Sequence, residues 1–282
     1  MDAKTKKELT VTATKVRIGI IEAVAAAKSG HPGGSLSMSD VLTYLYFKEL
    51  RNLDPTNPKA ENRDRFVLSK GHCAPALYSV LANRGFFPVE TLKTLRKPGS
   101  FLQGHPDMKG TPGVDMSSGS LGQGVSVACG MARSAKLQNR DYRVYAYLGD
   151  GECEEGEVWE AAMFAGHYKL DNLVAIVDYN GLQIDGRLSE VCSPEPIAPK
   201  FEAFNWNVIC IDGHNLDEIE AAFEAAKRCK GKPTAIIAKC IKGKGVSFME
   251  DKASWHGSAP NAEQTEQALA ELNATLAEAE AM

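Results

Sequence analysis

Short apolar runs alternate along this chain with longer segments that are apolar on one face only. The short runs are bounded by glycine or charged residues and predict buried β-strands over residues 65–68, 143–148, 173–178, 207–211 and 235–240. In the longer segments, apolar residues recur at helical spacing, which predicts helices over residues 10–28, 39–50, 121–138, 154–168 and 216–229. This alternation predicts an α/β fold with a mostly parallel central sheet and helices on both faces.

Other segments complete the pattern. We expect a helix between the first strand and Gly85, a loop bearing glycine and proline at residues 30–34, and a turn-rich region that extends to Gly113. The tail from Ala262 is rich in alanine and glutamate, which predicts a solvated helix. No repeat, low-complexity linker or internal boundary interrupts the chain, so we expect residues 1–282 to form one domain.

Polar residues follow two of the predicted strands at the points where these strands end. Gly149-Asp150-Gly151 comes after run 143–148, and Asn180 comes after run 173–178, with a predicted helix between them. A crossover of this kind is right-handed and makes its two strands parallel, so both carboxyl ends lie at the sheet edge where α/β proteins bind ligands. Neighbouring strands lie about 4.8 Å apart, which would let Asp150 and Asn180 reach one cation.

The chemistry of these residues is that of a divalent-metal and diphosphate site. The carboxylate of Asp150 and the amide oxygen of Asn180 suit Mg²⁺ or Ca²⁺, and Gly151 lets the backbone approach a phosphate. Taken singly, Gly-Asp-Gly and Asn-Gly sequences are most often turns. Their occurrence at two strand ends, one crossover apart, favours ligand binding over simple turns.

The histidines divide into two groups. Four of them lie in glycine-rich or turn-rich segments, which gather at the ligand edge of such a sheet; these are His31, His72, His105 and His256. Imidazoles can hydrogen-bond substrate hydroxyls and pass protons near neutral pH. The alternative is that these residues bind hydroxyls without transferring protons. We interpret the remaining two, His167 and His214, as structural polar groups.

Composition argues against several kinds of partner and location. The balance of 32 basic and 36 acidic residues, with no basic face, makes nucleic acid an unexpected partner. The seven cysteines are scattered without paired spacing, which favours reduced thiols in the cytoplasm over disulfides or a zinc site. The lysine-rich N-terminus lacks the apolar core of a signal peptide, and no apolar stretch approaches the length of a membrane span.

Several motifs, in their order along the chain, resemble those of the transketolase family. The segment from Gly149-Asp150-Gly151 to Asp178-Tyr179-Asn180 resembles the thiamin diphosphate motif. The flanking motifs are Ser29-Gly30-His31-Pro32-Gly33, Leu68-Ser69-Lys70-Gly71-His72, Gly104-His105-Pro106, Gly119-Ser120-Leu121-Gly122-Gln123-Gly124 and Trp255-His256-Gly257. The similarity extends from about residue 17 to residue 260, and it implies a thiamin diphosphate-binding fold.

The resemblance also implies roles for individual residues. By this similarity, His31, His105 and His256 would face the substrate. Contacts to the cofactor would come from His72, Gly119, Ser120, Leu121, Gly151, Asn180, Lys242 and His256. The metal, expected to be Mg²⁺ with Ca²⁺ or Mn²⁺ as alternatives, would be bound by Asp150, Asn180 and the main-chain oxygen of Leu182. At Gly34 the chain departs from relatives that place a hydroxyl there.

Acidic residues crowd the start of the helix that follows the metal motif. Glu152, Glu154, Glu155 and Glu157 are interpreted as charges that complement the helix dipole. By the family resemblance, the glutamate that protonates the aminopyrimidine ring of the cofactor belongs to a pyrimidine-binding domain, which this sequence lacks. Glu155 matches a family position that communicates with that glutamate across the subunit interface.

The resemblance covers only part of a typical transketolase, which continues with pyrimidine-binding and C-terminal domains, whereas this sequence ends at Met282. It thus implies the N-terminal subunit of a split transketolase, assembled as two copies with two copies of a separate subunit. Such an enzyme moves a two-carbon ketol unit from a ketose phosphate to an aldose phosphate. Two alternatives are the α subunit of a 2-oxoacid dehydrogenase, which the order of the histidine motifs opposes, and a non-catalytic cofactor-binding relic.

Overall fold

The computed structural model describes residues 1–282, and its centre is a five-stranded parallel sheet. The strands are β1 (Arg65–Leu68), β2 (Val144–Gly149), β3 (Leu173–Tyr179), β4 (Asn207–Asp212) and β5 (Thr234–Lys239), in the spatial order β1-β2-β3-β5-β4. Every neighbouring pair of strands is parallel. Each strand lies where an apolar run predicts it, and the α/β fold class is confirmed.

Ten α-helices surround this sheet. They are α1 (Ala3–Ala27), α2 (Pro32–Ser37), α3 (Ser39–Tyr44), α4 (Ala74–Asn83), α5 (Gln123–Leu137), α6 (Gly156–His167), α7 (Leu188–Val191), α8 (Ile197–Ala203), α9 (Leu216–Arg228) and α10 (Ala262–Ala281). A π-helical turn over Leu45–Glu49 extends α3. Short 3₁₀ turns occur at Gly71–Cys73, Val89–Thr94, Gly151–Glu154 and Ala253–Trp255.

The sheet separates two apolar cores, because successive side chains of a strand point to opposite faces. On one face, Tyr145 and Ile176 are buried with residues of α1, α3, α4, α9 and α10. On the other face, Ala146 and Val177 are buried with residues of α5, α6 and α8. Helices therefore cover both faces, as the sequence predicts.

The first helix is longer than its apolar pattern indicates. It begins at Ala3 rather than near residue 10 because Asp2 caps it. The Asp2 carboxylate accepts a hydrogen bond from the backbone N–H of Thr5 at 2.8 Å, which satisfies one of the free donors at the helix start. The early turns also bury Leu9 in the larger core. A capping residue and one apolar anchor thus extend the helix beyond the periodic segment.

The prediction of a loop at residues 30–34 is wrong in part, since Pro32 starts α2 and Gly33 and Gly34 lie within that helix. Proline is well suited to the first turn of a helix, where its missing N–H costs nothing. A Cβ at Gly33 would lie 2.8 Å from the carbonyl oxygen of Trp255, and one at Gly34 would lie 2.8 Å from Sγ of Cys73. These two glycines therefore permit close packing rather than a turn.

The C-terminal helix is not simply solvated, which corrects the expectation for the tail. Its N-terminus has a capping box, in which Asn261 and Gln264 each accept from the backbone N–H of the other. Along one face Ala268, Leu272 and Ala279 are buried, and the helix packs along α1. The alternation of alanine and glutamate conceals this narrow apolar stripe in the sequence.

Two expectations from composition can be compared with the structure. No helix combines the length and the apolar character needed to cross a membrane. All seven cysteines are free thiols, and four of them are buried: Cys73, Cys129, Cys153 and Cys240. These four buried thiols thus act as small apolar side chains in the two cores.

Truncation of Leu272 should test the docking of α10. This side chain is only 1% exposed, so Leu272→Ala should lower the free energy of unfolding by about 2–5 kcal/mol through lost burial and a residual cavity. The neighbouring exposed Asn273 offers a control, and Asn273→Ala should change stability by less than about 0.5 kcal/mol. Denaturant unfolding of both variants measures the difference. Equal, small effects would mean that α10 is solvated after all.

Candidate functional site

A cavity of about 380 Å³ opens at the carboxyl ends of β2 and β3. Its walls contain most of the residues that the sequence predicts to bind cofactor, metal or substrate: His31, His72, Gly119, Leu121, Asp150, Gly151, Asn180, Leu182, Lys242 and His256. Two larger hollows of about 1020 Å³ each lie beside α8 and β4 and beside α10. None of those residues lines either hollow, so the smaller cavity is the candidate site.

The pairing of β2 with β3 brings the two polar strand ends together. Gly149 lies opposite Asp178 in the parallel register, so Asp150 and Asn180 follow directly at the same edge. The Asp150 carboxylate accepts hydrogen bonds from the backbone N–H of Gly151 at 2.8 Å and of Gly181 at 2.6 Å. Asp150 and Asn180 therefore lie at the same sheet edge, as the sequence predicts.

The oxygen atoms at this edge fit a hard divalent cation. Burial and the neighbouring Asp178 charge raise the pKa of Asp150 to about 6, so the protein supplies too little positive charge to balance this carboxylate. Each oxygen of that carboxylate accepts one hydrogen bond and keeps a lone pair. Asn180 and Leu182 line the same cavity. No cluster of three or more His, Cys, Asp or Glu side chains suited to a metal exists, so amide and main-chain oxygens would have to complete the ligand set.

Lys242 places a buried ammonium beside this set of oxygen atoms. It is only 2% exposed, and its Nζ donates to the carbonyl oxygen of Leu182 at 3.0 Å and lies 3.0 Å from Nδ1 of His256. Burial lowers its pKa, while the Asp150 carboxylate opposes that shift. A buried cation with such neutral partners fits a ligand that brings its own negative charge, such as a diphosphate.

Three histidines form a compact cluster in the cavity wall. The ring centroids of His31, His72 and His256 lie 5.1 to 5.4 Å apart. Burial, reinforced by nearby cationic groups, lowers the pKa of His31 to about 4, that of His256 to about 3 and that of His72 well below its usual value. All three rings are therefore neutral at pH 7, each with one N–H and one lone pair. Nδ1 of His31 is buried and has no hydrogen-bond partner within the protein.

His105 and Ser120 lie apart from this cluster. Neither lines the cavity, and both side chains are exposed. His105 stands beside Gly119, where a Cβ would lie 3.1 Å from Cδ2 of its ring. Gly119 does line the cavity, so His105 lies next to its wall. Although its side chain is exposed, partial desolvation by the surrounding loops and the Arg96 charge lower the pKa of His105 as well.

Comparison with known proteins decides the family. Over residues 8–277 the sequence matches the family described as transketolase, thiamine diphosphate binding domain. The chain belongs to the transketolase family. The site residues above thus lie in a domain type that binds thiamine diphosphate, and the expectation of a thiamin diphosphate-binding fold is confirmed.

Individual relatives agree with this assignment. The chain is 50% identical to the 6-deoxy-6-sulfo-D-fructose transketolase subunit SqwG of Clostridium sp. (strain MSTE9), covering 92% of this chain and 94% of that relative. It is 46% identical to one subunit of the apulose-4-phosphate transketolase of Phocaeicola vulgatus, covering 94% of each. The transketolase of Rattus norvegicus is 46% identical, but only 43% of its length is covered.

A solved structure shows the same relation. Transketolase from Campylobacter jejuni superimposes with a TM-score of 0.89 at 34% identity over 99% of this chain. The match covers 46% of that chain, so this transketolase domain spans about half the length of the solved relatives that it matches. The two relatives that it covers almost completely are both named as subunits. This confirms the expectation of a thiamine diphosphate-dependent transketolase subunit.

A buried ion pair that the sequence did not predict lies at the floor of the transketolase cavity. Nζ of Lys70 donates to Oδ2 of Asp178 at 2.6 Å and to the carbonyl oxygen of Gly34 at 2.9 Å. The same carboxylate oxygen accepts from Oγ of Ser37 at 2.6 Å and from Nδ2 of Asn180 at 3.0 Å. Burial alone would lower the pKa of Lys70, but Asp178 raises it above its usual range. The only sequence signals were a lysine inside a histidine motif and an acid closing an apolar strand.

Glu152 does not complement the helix dipole, which corrects that interpretation. Its side chain is 2% exposed and accepts hydrogen bonds from the backbone N–H groups of Gly122 and Gly149, both at 2.9 Å, and from Oγ of Ser69. It thereby ties the glycine-rich loop before α5 to the end of β2. By contrast, Glu155 is the exposed N-cap residue of α6.

Removal of Lys70 should leave the Asp178 carboxylate buried and unpaired. We expect Lys70→Met to lower the free energy of unfolding by about 3–5 kcal/mol, because an uncompensated buried charge is strongly unfavourable. Adding Asp178→Asn to the same chain should restore part of that stability, since the second change removes the charge. Denaturant unfolding of the single and double variants forms a double-mutant cycle. Simple additivity of the two losses would contradict the pairing.

Proposed function

We propose that this chain binds thiamin diphosphate with Mg²⁺ and, together with a separate subunit, transfers a two-carbon ketol unit from a ketose phosphate to an aldose phosphate. One observation carries the proposal. A single cavity of this transketolase domain contains a carboxylate whose charge is not balanced by the protein, a buried lysine and three neutral histidines. Ca²⁺ or Mn²⁺ could replace Mg²⁺, since the ligand set consists of oxygen atoms.

The residues at the strand ends would hold the cofactor. Asp150, Asn180 and the main-chain oxygen of Leu182 would bind the metal, and the backbone N–H of Gly151 and the ammonium of Lys242 would meet the diphosphate. Further contacts would come from His72, Gly119, Ser120, Leu121 and His256. When bound, the cofactor would supply the electron sink that ketol transfer requires. Lys242 now satisfies the Leu182 oxygen, and this contact would give way to the diphosphate and the metal.

The histidines would bind and orient the sugar. His31, His105 and His256 are proposed to contact substrate hydroxyls and the carbonyl oxygen. Nδ1 of His256 accepts from Lys242, so its remaining proton is on Nε2, where it can be donated to a substrate oxygen. The low pKa values of His31 and His256 make both neutral rings weak bases, so either would accept a proton only from a strongly acidic group, whereas its N–H can be donated to a basic substrate oxygen. Proton transfer by at least one of them remains part of the proposal.

The names of the relatives support an anionic ketose as substrate. Those that this chain covers almost completely are named for 6-deoxy-6-sulfo-D-fructose and for apulose 4-phosphate. Both names describe a ketose with a negatively charged group, which agrees with a sugar phosphate here. The proposal includes a place in the pentose phosphate pathway and a cytoplasmic location, and the reduced thiols favour the latter.

Exposed apolar side chains support assembly with a partner. Towards its end α6 exposes Met163 (56%) and Phe164 (39%), and Tyr168 (41%) follows it with its ring 4.6 Å from that of Phe164, so apolar side chains are available for contact with a partner. We propose a symmetric assembly of two copies of this chain with two copies of a subunit that carries the pyrimidine-binding and C-terminal domains. In it, Glu155 would communicate with the catalytic glutamate of the partner. Residues 1–282 would form one domain of this complex.

The partner requirement predicts the behaviour of the separated chain. Purified alone, it should show no ketol transfer, because the glutamate that acts on the cofactor would belong to the other subunit. Adding the pyrimidine-domain subunit should restore transfer from a ketose phosphate to an aldose phosphate in a coupled assay. Full activity of this chain, rigorously freed of other proteins, would falsify the proposal of a split enzyme.

The metal assignment predicts a selective loss. Asp150→Ala removes the only carboxylate of the proposed ligand set, so Mg²⁺-dependent binding of thiamin diphosphate should disappear while the fold persists. Titration calorimetry measures the binding, and circular dichroism checks the fold. Asp185 is an exposed acid on the loop after Asn180, and Asp185→Ala should leave the affinity unchanged. Unaltered cofactor affinity in Asp150→Ala would show that the metal binds elsewhere.

A further inference from the structure

The segment that carries Lys242 follows β5 and has little regular structure to hold it. Gly243 and Gly245 both have positive φ angles, of 79° and 93°, which only glycine adopts without strain. Two backbone hydrogen bonds hold its middle. The N–H of Gly243 donates to the carbonyl oxygen of Gly33 at 2.9 Å, and the N–H of Asp251 donates to that of Lys242 at 3.0 Å. A glycine-rich segment of this kind needs further contacts to keep one conformation.

His214 contacts the start of this segment. Its Nε2 lies 2.9 Å from the backbone nitrogen of Ile241, and its Nδ1 lies 2.7 Å from Oδ2 of Asp40. Since Nε2 accepts from a backbone N–H, the ring proton is on Nδ1 and is donated to Asp40. The ring is therefore a rigid link between α3 and the segment after β5.

Arg17 contacts the end of the same segment. Its Nε donates to the carbonyl oxygen of Lys244 at 3.2 Å, while its two terminal nitrogens donate to the Asp40 carboxylate at 2.9 and 2.6 Å. Arg17 is 7% exposed, so this pair is well shielded from water. Burial alone would raise the pKa of Asp40, but the Arg17 charge and the hydrogen bonds from His214 and Arg17 keep it well below its usual value. Asp40 thus stays charged and joins both contacts.

We propose that Arg17, Asp40 and His214 form a positioning network that holds both ends of segment 241–244 and thereby places the Lys242 ammonium in the cofactor cavity. None of the three lines that cavity, so each would act through the segment rather than on the ligand. The proposal deepens the function of the site and rests on the proposed contact of Lys242 with the diphosphate. It also assigns a specific task to His214, whose sequence context suggested only a structural polar group.

Two substitutions at His214 separate the two contacts of the ring. His214→Gln can place an amide oxygen near the position of Nε2 and keep the bond from Ile241 N–H. His214→Asn reaches only the position of Nδ1, so it can still donate to Asp40 but leaves Ile241 without an acceptor. His167 is an exposed histidine at the end of α6, and His167→Asn is the matched control.

Hydrogen exchange of the full chain without cofactor tests the network by itself. Backbone amides of residues 239–246 should exchange at least about tenfold faster in His214→Asn than in the unaltered chain, as expected for one lost hydrogen bond. They should stay near the original rate in His214→Gln and His167→Asn, and α9 should stay protected in all variants. Unchanged exchange in His214→Asn, or equal acceleration in His214→Gln, would overturn the proposal.

Cofactor affinity then tests the consequence for Lys242. Calorimetric titration of thiamin diphosphate with Mg²⁺ into the chain mixed with its partner subunit should show about tenfold weaker binding for His214→Asn and little change for His214→Gln. Faster exchange with unaltered affinity would reject the link to the cofactor while leaving the proposed function standing. Loss of binding in every variant and in the unaltered chain would instead contradict the proposed function.

A third variant covers the case in which His214→Asn does not fold. Arg17→Lys keeps a positive charge opposite Asp40, but its single ammonium cannot reproduce the fork that reaches both Asp40 and the Lys244 carbonyl. It should weaken cofactor binding about tenfold and accelerate exchange in residues 244–246, while the total helix content measured by circular dichroism stays unchanged. Affinity and exchange equal to those of the unaltered chain would overturn the proposal.

Discussion

The ion pair between Lys70 and Asp178 is the interaction on which the arrangement of the site depends. It joins the loop after β1, the end of β3 and, through Ser37 and the Gly34 carbonyl, the short helix α2. Both charges are withdrawn from water, so each must keep its partners or become strongly unfavourable. Since His72 and Asn180 lie two residues after these charges, the pair also sets the spacing between the histidine cluster and the strand ends.

Because Lys70 and Asp178 neutralise each other, two other charged groups of the cavity are free to bind ligands. Because Lys70 already compensates Asp178, the second carboxylate, Asp150, and the second ammonium, Lys242, are left for ligands of opposite charge. The surrounding histidines cannot supply further positive charge, since burial keeps them neutral. A cation near Asp150 and an anionic diphosphate near Lys242 would together leave the cavity close to balanced. This explains why a metal and a diphosphate would bind as a unit.

The sequence by itself determined the architecture and much of the site. Apolar periodicity is a local property, so it located all five strands and most helices. The adjacency of Asp150 and Asn180 also followed, because a right-handed crossover constrains where two strand ends must lie. The histidine motifs identified the family, which the comparisons confirm. The prediction of helices failed in two ways. The start of α1 was placed too late because the Asp2 cap extends the helix beyond its apolar pattern, and α10 was predicted to be solvated because its buried stripe consists mainly of alanines.

Only the tertiary structure decided which polar residues support the site. Lys70 bonds to a residue 108 positions away, Glu152 to Ser69 across 83 positions and His214 to Asp40 across 174 positions. Nothing near them in the chain distinguishes a buried glutamate from one at a helix start, or a linking histidine from a solvated one. The protonation of the histidine cluster was equally hidden, because a pKa depends on burial and on neighbouring charges, and both arise only when distant segments pack together.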